Sequence, residues 1–245
     1  MGAPRTAALL VIGNEILSGK VQDANVLVLS VMLRRLGISF RRVVMVLDDV
    51  PTIAAEVRAL SGAHDFVFTS GGVGPTHDDV TMDGVAAAFD VDVVIDQDME
   101  AMLRTHYGDR LKDGHLMMAR VPRGSEQRST AEVRWPVTQM KNVWVLPGIP
   151  EIFRMKLSII EPLLGADEPY LSRAVYTNLD EGTLKPLIDE VVSAYPKVDV
   201  GSYPTWGNAS YKTKVTFDGK DRDELAAASA RFLASLPAGE PQRVE

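Results

Sequence analysis

The residues of this sequence that could do chemistry lie in short segments rich in glycine and carboxylates. The longest of these segments runs from Thr69 to Asp79 and reads TSGGVGPTHDD. Gly71, Gly72 and Gly74 let the backbone turn its N–H groups toward a ligand, because no Cβ atom obstructs the approach. A loop of this kind suits a phosphate or a pyrophosphate, the more so when a helix begins directly after it.

Two adjacent carboxylates, Asp78 and Asp79, close this segment. Carboxylates beside a phosphate would repel it unless a cation lies between them. Their presence therefore indicates Mg²⁺ or another hard divalent ion, which takes oxygen ligands from carboxylates and phosphates together. The alternative interpretation is a tight turn whose aspartate caps the next helix, and the segment alone leaves both open.

Three further segments share this character, and each follows an apolar stretch of strand length. They are Gly13–Gly19 (GNEILSG), Asp48-Asp49 and Leu146–Glu151 (LPGIPE). Glu15 and Asp48 add two more carboxylates to the candidate groups. Each segment taken singly is also compatible with an ordinary turn, but together they would form one site if the fold brings them to one edge.

Apolar stretches alternate with helical patterns through the first two thirds of the chain. Residues 7–12 form an apolar run that stops at Gly13, and residues 25–36 carry apolar side chains at helical spacing. The same patterns predict strands at 43–47, 66–69 and 93–95, helices at 51–60, 81–89, 97–107, 112–119 and 151–160, and a hairpin at 137–146. This alternation predicts an α/β fold in which a mostly parallel sheet is flanked by helices and binds ligands at the carboxyl ends of its strands.

The pattern changes near residue 167, which predicts a first domain at 1–167 and a small α+β domain at 168–245. In the second domain we predict strands at 171–177, 198–203 and 210–218, helices at 182–194 and 224–236, and a frayed tail from Pro237. This segment is acidic, which does not favour a nucleic-acid module.

Composition excludes several classes of protein. The 245 residues contain 26 Lys and Arg against 33 Asp and Glu, a net charge of −7, so a polyanionic partner such as nucleic acid is not expected. The absence of cysteine excludes a thiolate nucleophile and cysteine-ligated metals. No apolar run reaches the roughly 20 residues that span a bilayer, so we expect a cytoplasmic protein with no membrane partner.

Residues 7 to about 164 resemble the MoaB/Mog-type molybdopterin-binding domain. The resemblance is strongest to the N-terminal domain of the CinA (competence/damage-inducible) proteins and to the related domain of some FAD synthases. It rests on Gly13–Gly19, Asp23-x-Asn25, Ser70–Thr81 and Leu146–Glu151 in this order. It implies a three-layer αβα fold. Residues 168–236 resemble the small KH-like domain that follows in CinA proteins, and the deamidase domain with which longer members continue is expected to be absent.

The resemblance also implies roles for particular residues. Asp48 and Asp79 match the essential pair for adenylyl transfer in Mog-type enzymes, and Asp78 supplies the second carboxylate found in the CinA-like, metal-dependent pyrophosphatases. The implied catalytic residues are Asp48, Asp78 and Asp79, which with Glu15 are also the implied metal ligands. The implied ligand-binding residues are Gly13, Asn14, Glu15, Asn25, Ser70, Gly71, Gly72, Val73, Gly74, Thr76, Pro147, Gly148, Pro150 and Glu151.

Three functions are compatible with these residues. The leading hypothesis is hydrolysis of a nucleotide pyrophosphate of the ADP-ribose or FAD type, releasing AMP with Mg²⁺, Mn²⁺ or Co²⁺ as cofactor and K⁺ as a further candidate. The alternatives are molybdopterin binding or adenylyl transfer in molybdenum cofactor synthesis, and a nucleotide-binding module without turnover. The expected partner is a small nucleotide or pterin pyrophosphate, and the expected assembly is a homo-oligomer, either a dimer or a trimer.

Overall fold

The computed structural model describes residues 5–245. Residues 1–4, the predicted start of the first domain, lie outside this range. The described chain divides into two compact units, with the division between Asp167 and Glu168.

The first unit is built on a sheet with the strand order β2-β1-β3-β8-β7-β6. Its strands are β1 (Thr6–Ile12), β2 (Ser39–Val46), β3 (Phe66–Ser70), β6 (Glu126–Arg128), β7 (Val137–Met140) and β8 (Val143–Val145), and β4 (Val93–Ile95) and β5 (Arg120–Pro122) lie outside this sheet. β1 pairs in parallel with β2 and β3, and β3 pairs in parallel with β8. The antiparallel strands β7 and β6 extend the sheet beyond β8. The predicted α/β fold with a mostly parallel sheet is confirmed.

Helices cover both faces of this sheet. They are α1 (Asn14–Leu17), α2 (Asn25–Arg35), α3 (Val50–Ala63), α4 (Thr81–Ala88), α5 (Gln97–Tyr107), α6 (Asp113–Leu116) and α7 (Pro150–Leu164), with 3₁₀ turns at Gly108–Arg110 and Met117–Ala119. Leu9 of β1 packs with residues of α2 and α7, whereas its neighbour Leu10 packs with residues of α3 and α4. β1 is apolar at consecutive positions because successive side chains enter two different cores.

The strand at 93–95 is correctly predicted but does not join the main sheet. β4 pairs antiparallel with β5 in a separate small sheet. Met99 and Leu103 of α5 pack there with Ala119 and Val121 as a cluster of their own. A run of three apolar residues indicates a strand but carries no information on its pairing partner, which is why the sequence places β4 with the other strands.

The second unit is a small α+β fold with the strand order β10-β11-β9-β12. Its elements are β9 (Leu171–Thr177), α8 (Glu181–Ala194), β10 (Asp199–Pro204), β11 (Thr213–Gly219), α9 (Arg222–Ser235) and β12 (Arg243–Val244). The prediction of a frayed tail is wrong, because Ala174 and Glu245 exchange two backbone hydrogen bonds of 2.8 Å. Among residues 5–245, no helix has the length and apolarity needed to cross a membrane.

Candidate functional site

The four segments rich in glycine and carboxylates meet at one edge of the main sheet. Each follows one of the parallel strands β1, β2, β3 and β8, so they share the carboxyl edge. Gly13 N–H donates to Val46 O at 3.1 Å, and Gly71 N–H donates to Leu146 O at 3.1 Å. These bonds tie the first loop to β2 and the glycine loop to the end of β8.

The glycine loop can be formed only by residues without a Cβ atom at two consecutive positions. Gly71 and Gly72 have positive φ angles of 107° and 64°. A Cβ at Gly71 would lie 2.0 Å from Ile12 O, and one at Gly72 would lie 2.3 Å from Thr81 Oγ1. Thr81 fixes the loop from α4, since its hydroxyl donates to Gly71 O at 2.8 Å and its N–H donates to Gly72 O at 3.0 Å.

The next three N–H groups of the loop form a row of available donors. Within residues 5–245, the N–H groups of Gly72, Val73 and Gly74 donate to no protein acceptor. These three residues line the same cleft. Successive backbone N–H groups of this kind, without competing protein acceptors, are the donors of an anion nest.

Asp79 lies against the end of this row. Its carboxylate accepts from Thr76 N–H at 2.8 Å, and its Oδ2 lies 2.7 Å from the position that a Cβ at Gly74 would take. Asp78 is exposed and does not line the cleft. The Thr76 hydroxyl is 2.5 Å from both carboxylates and can donate to one at a time, and its bond to Asp78 lowers the pKa of that carboxyl.

Asp48, which follows β2, lies beside Gly72 of the glycine loop. Its Oδ2 accepts from Asn14 N–H at 2.8 Å, and its Oδ1 lies 3.5 Å from the position of a Cβ at Gly72. Burial raises the pKa of Asp48, and the nearby carboxylates Glu15, Asp78 and Asp79 raise it further, although the Asn14 bond opposes them. The negative charge at Asp48 is therefore held at an energetic cost that a bound cation would offset.

Other predicted residues hold the loops in place. Asn25 Nδ2, on α2, donates to Ser70 Oγ and to Gly148 O, both at 2.8 Å, which links the ends of β3 and β8. Asn25 Oδ1 is buried and has no hydrogen-bond partner in the described residues. Pro147 and Pro150 line the cleft, as does Gly148, whereas Glu151 is exposed in the first turn of α7 and does not. At this position the negative charge of Glu151 interacts favourably with the partial positive charge of the helix N-terminus.

The four carboxylates predicted as metal ligands do not form one coordinating group. Among residues 5–245 no three Asp, Glu or His side chains are placed to hold a metal ion together. Glu15 folds back over Gly13, with Oε1 2.7 Å from the position of a Cβ there, and Asp78 is exposed. Asp79 lies beside Gly74 and lines the cleft, whereas Asp48 lies beside Gly72 and does not line it.

A cleft of about 1460 Å³ opens beside the loop. Its walls include the apolar side chains Met82, Met102 and Met118 together with Trp135 and Lys156. Burial lowers the pKa of Lys156 to about 8. Lys156 is not among the residues predicted for the site. It follows the buried Phe153 by three positions on the apolar stripe of α7, a spacing that could have identified it.

Replacement of Asp48 tests the electrostatics of the site through protein stability. Because the folded-state pKa is raised from 3.8, the penalty is absent well below pH 3.8 and grows as pH rises through the folded-state value. In metal-free buffer at pH 7 we expect the melting temperature of Asp48→Asn to be no lower than that of the wild type. Any advantage of the variant should shrink as the pH falls toward 3. Calorimetry across this range measures it, and a variant clearly less stable at pH 7 would contradict it.

Comparison with known proteins assigns the class. Residues 8–166 match the family model described as a probable molybdopterin binding domain, and residues 169–245 match the model described as the middle domain of FAD synthase. The chain belongs to the family of probable molybdopterin-binding domains. The resemblance stated from the sequence motifs is confirmed.

Individual relatives agree with this assignment. The chain is 32% identical over 262 residues to a protein of Caenorhabditis elegans named Probable FAD synthase, covering 96% of this chain and 50% of that one. The chain thus spans about half the length of its FAD synthase relatives. A protein of Archaeoglobus fulgidus is 32% identical and is covered over 95% of its length. The crystal structure of the protein CinA of unknown function from Thermoplasma acidophilum is 31% identical, with a TM-score of 0.60 over 66% of this chain and 99% of that one.

Proposed function

We propose that this protein hydrolyses a nucleotide pyrophosphate of the FAD or ADP-ribose type and releases AMP. The observation that carries the proposal is the row of available N–H groups at Gly72, Val73 and Gly74, with Asp48 close to Gly72 and Asp79 close to Gly74. The N–H row supplies positive dipoles for phosphate oxygens, and the carboxylates supply ligands for a cation that accompanies them.

The residues present fit a divalent ion that is bound together with its substrate. Mg²⁺ is usually held by one or two carboxylates plus substrate phosphates rather than by a complete protein cage. Asp48 and Asp79 are the carboxylates in position, and no larger acidic group occurs among residues 5–245. When bound, such an ion would polarise a phosphoryl oxygen and lower the pKa of a water molecule.

The chain itself orients the substrate. The N–H groups of the glycine loop bind the non-bridging oxygens, and Asn14 and Thr76 hold the two carboxylates through their N–H groups. Water forms a bond to the adenylyl phosphorus, the bond from this phosphorus to the bridging oxygen breaks, and FMN or ribose 5-phosphate leaves with that oxygen. The products are AMP and the second monophosphate, with two protons released. The apolar methionines of the cleft wall accommodate a planar ring.

Product analysis tests the proposal directly. The purified protein is incubated with FAD or with ADP-ribose and Mg²⁺, Mn²⁺ or Co²⁺, with and without K⁺, and AMP is measured by chromatography. We expect AMP in equal amount to FMN or ribose 5-phosphate, and no AMP when EDTA replaces the metal. The absence of AMP from both substrates under all metal conditions would overturn the proposal.

Adenylyl transfer is the second candidate, because relatives are named FAD synthase and the family is described as molybdopterin-binding. The same loop and carboxylates would bind ATP, and a phosphate group of the acceptor would replace water as nucleophile. Incubation with ATP and either FMN or molybdopterin distinguishes the two reactions. Transfer releases pyrophosphate only when the acceptor is present, whereas hydrolysis requires no acceptor.

A further inference from the structure

Lys156 is a buried cation on the wall of the cleft. Its side chain lies on α7 in a residue that is only 4% exposed, yet it lines the cleft. The ammonium group donates to Pro136 O at 2.8 Å and also contacts Trp135 O. An ammonium has three N–H donors, so one remains after these two carbonyl contacts.

No acidic side chain compensates this charge. Within residues 5–245, the partners of the Lys156 ammonium are these two carbonyl oxygens, and burial alone causes the lowered pKa. The other ionisable groups that line the cleft, which are Glu15, Asp79, Asp98, His106, Tyr107 and Arg134, do not contribute to it. A buried ammonium without a counter-charge is expensive, so the fold retains at Lys156 a charge that an anion would neutralise.

A second cation, Arg134, lines the same cleft. Arg134 is exposed, lines the cleft next to Trp135, and has no acidic partner in the described part of the chain. The segment that carries it leads into β7, which is antiparallel to β8, so the start of β7 lies at the edge that holds the glycine loop.

Charge is therefore segregated along this edge of the sheet. Asp48, Glu15 and Asp79 follow β2, β1 and β3, whereas Arg134 and the carbonyls that hold Lys156 precede β7. In the strand order, β7 is two strands from β3, which corresponds to roughly 10 Å at the usual strand spacing.

We propose that Lys156 and Arg134 form a second anion subsite in the cleft, about 10 Å from the glycine loop, that binds a phosphate monoester. Two cations match the charge of about −1.5 to −2 that such a group carries at neutral pH. A ligand that fills both sites would carry two phosphate groups separated by a moiety that contacts the methionines of the wall. The subsite does not depend on hydrolysis or on a metal ion.

The alternative role of Lys156 is purely structural, since its carbonyl contacts fasten residues 135–136 to α7. If Lys156 has only this structural role, its replacement should not change the affinity for phosphate, and neither should the replacement of Arg134. Binding measurements therefore separate the two roles. Trp135 is a local reporter, because its indole belongs to the cleft wall and its carbonyl contacts Lys156.

The test titrates inorganic phosphate into metal-free protein at constant ionic strength while Trp fluorescence is recorded. A Trp206→Phe background removes the fully exposed indole of the second unit and leaves buried Trp144 as a constant signal. We expect saturable binding. Lys156→Met should weaken it by at least about tenfold, as for loss of a hydrogen bond to a charged group, and Arg134→Gln by about threefold, as for an exposed ion pair. Arg154→Gln, an exposed position on α7 outside the cleft, is the control and should have no effect.

The proposal is overturned if Lys156→Met binds phosphate as well as the wild type, or if Arg134→Gln and Arg154→Gln have the same affinity. Should Lys156→Met fail to fold, the exposed Arg134 variant still decides. Because the titration uses neither nucleotide nor metal, AMP release can fail while the subsite is confirmed, and the reverse can also occur.

Discussion

Asp79→Asn should abolish most AMP release while leaving the fold intact. Its carboxylate lies against Gly74 at the end of the available N–H groups and lines the cleft. Loss of one charged group at a reacting phosphate should lower kcat by about 100- to 1,000-fold, the range found for single groups that stabilise a transition state. An asparagine amide oxygen still accepts from Thr76 N–H, so the loop conformation should persist.

Asp78→Asn is the matched control for this variant. It removes the same charge from the adjacent residue, which is exposed and outside the cleft. We expect a far smaller loss of kcat than at Asp79, with both variants matching the wild type in circular dichroism and melting temperature. Equal losses at the two positions would show that the site depends on the total negative charge of the loop and not on the placement of Asp79.

Among substitutions that add one methyl group in the site, Gly71→Ala should destabilise the folded protein most. A left-handed conformation costs a residue with a Cβ roughly 1–2 kcal/mol, and Gly71 has φ 107°. The new Cβ would also lie 2.0 Å from the carbonyl oxygen of Ile12, where two backbone segments meet and neither can yield without moving β1 or β3. Overpacking of this kind adds about 1–3 kcal/mol, so we expect the free energy of unfolding to fall by about 2–5 kcal/mol.

Gly124→Ala separates backbone strain from steric overlap. Gly124 has φ 83°, and a Cβ there would meet no atom within 4 Å. Urea denaturation should show a loss of about 1–2 kcal/mol for this variant and unchanged AMP release. If Gly71→Ala were no more destabilising than Gly124→Ala, the close approach of the glycine loop to β1 would be refuted.

Much of the fold follows from local patterns. The boundaries of α5 (Gln97–Tyr107) and β9 (Leu171–Thr177) match their predictions, because amphipathic spacing and capping residues act within one or two turns. Asp96 accepts from Met99 N–H at 2.9 Å at the start of α5. β5 and β6 were not predicted, since strands of three residues with mixed polarity carry almost no periodic signal.

The candidate site was likewise predictable from the sequence only in part. The glycine loop and its aspartates are recognisable because their residue types are unusual at that spacing, and the structure brings Asp48 close to Gly72 and Asp79 close to Gly74. The sequence could not show that Asp79 lines the cleft and Asp78 does not. That difference between adjacent residues depends on which carboxylate packs against Gly74.

By itself, the sequence determined the alternation of strands and helices, the loops that follow the parallel strands, and the glycine positions at which no Cβ atom fits. These are properties of near neighbours in the chain, governed by sterics and short-range hydrogen bonds. The tertiary structure alone decided that β4 pairs with β5, that Asn25 joins Ser70 to Gly148, and that Lys156 meets carbonyls twenty positions earlier in the chain. Such contacts depend on which surfaces are buried together, and burial is a property of the whole packed unit rather than of any segment.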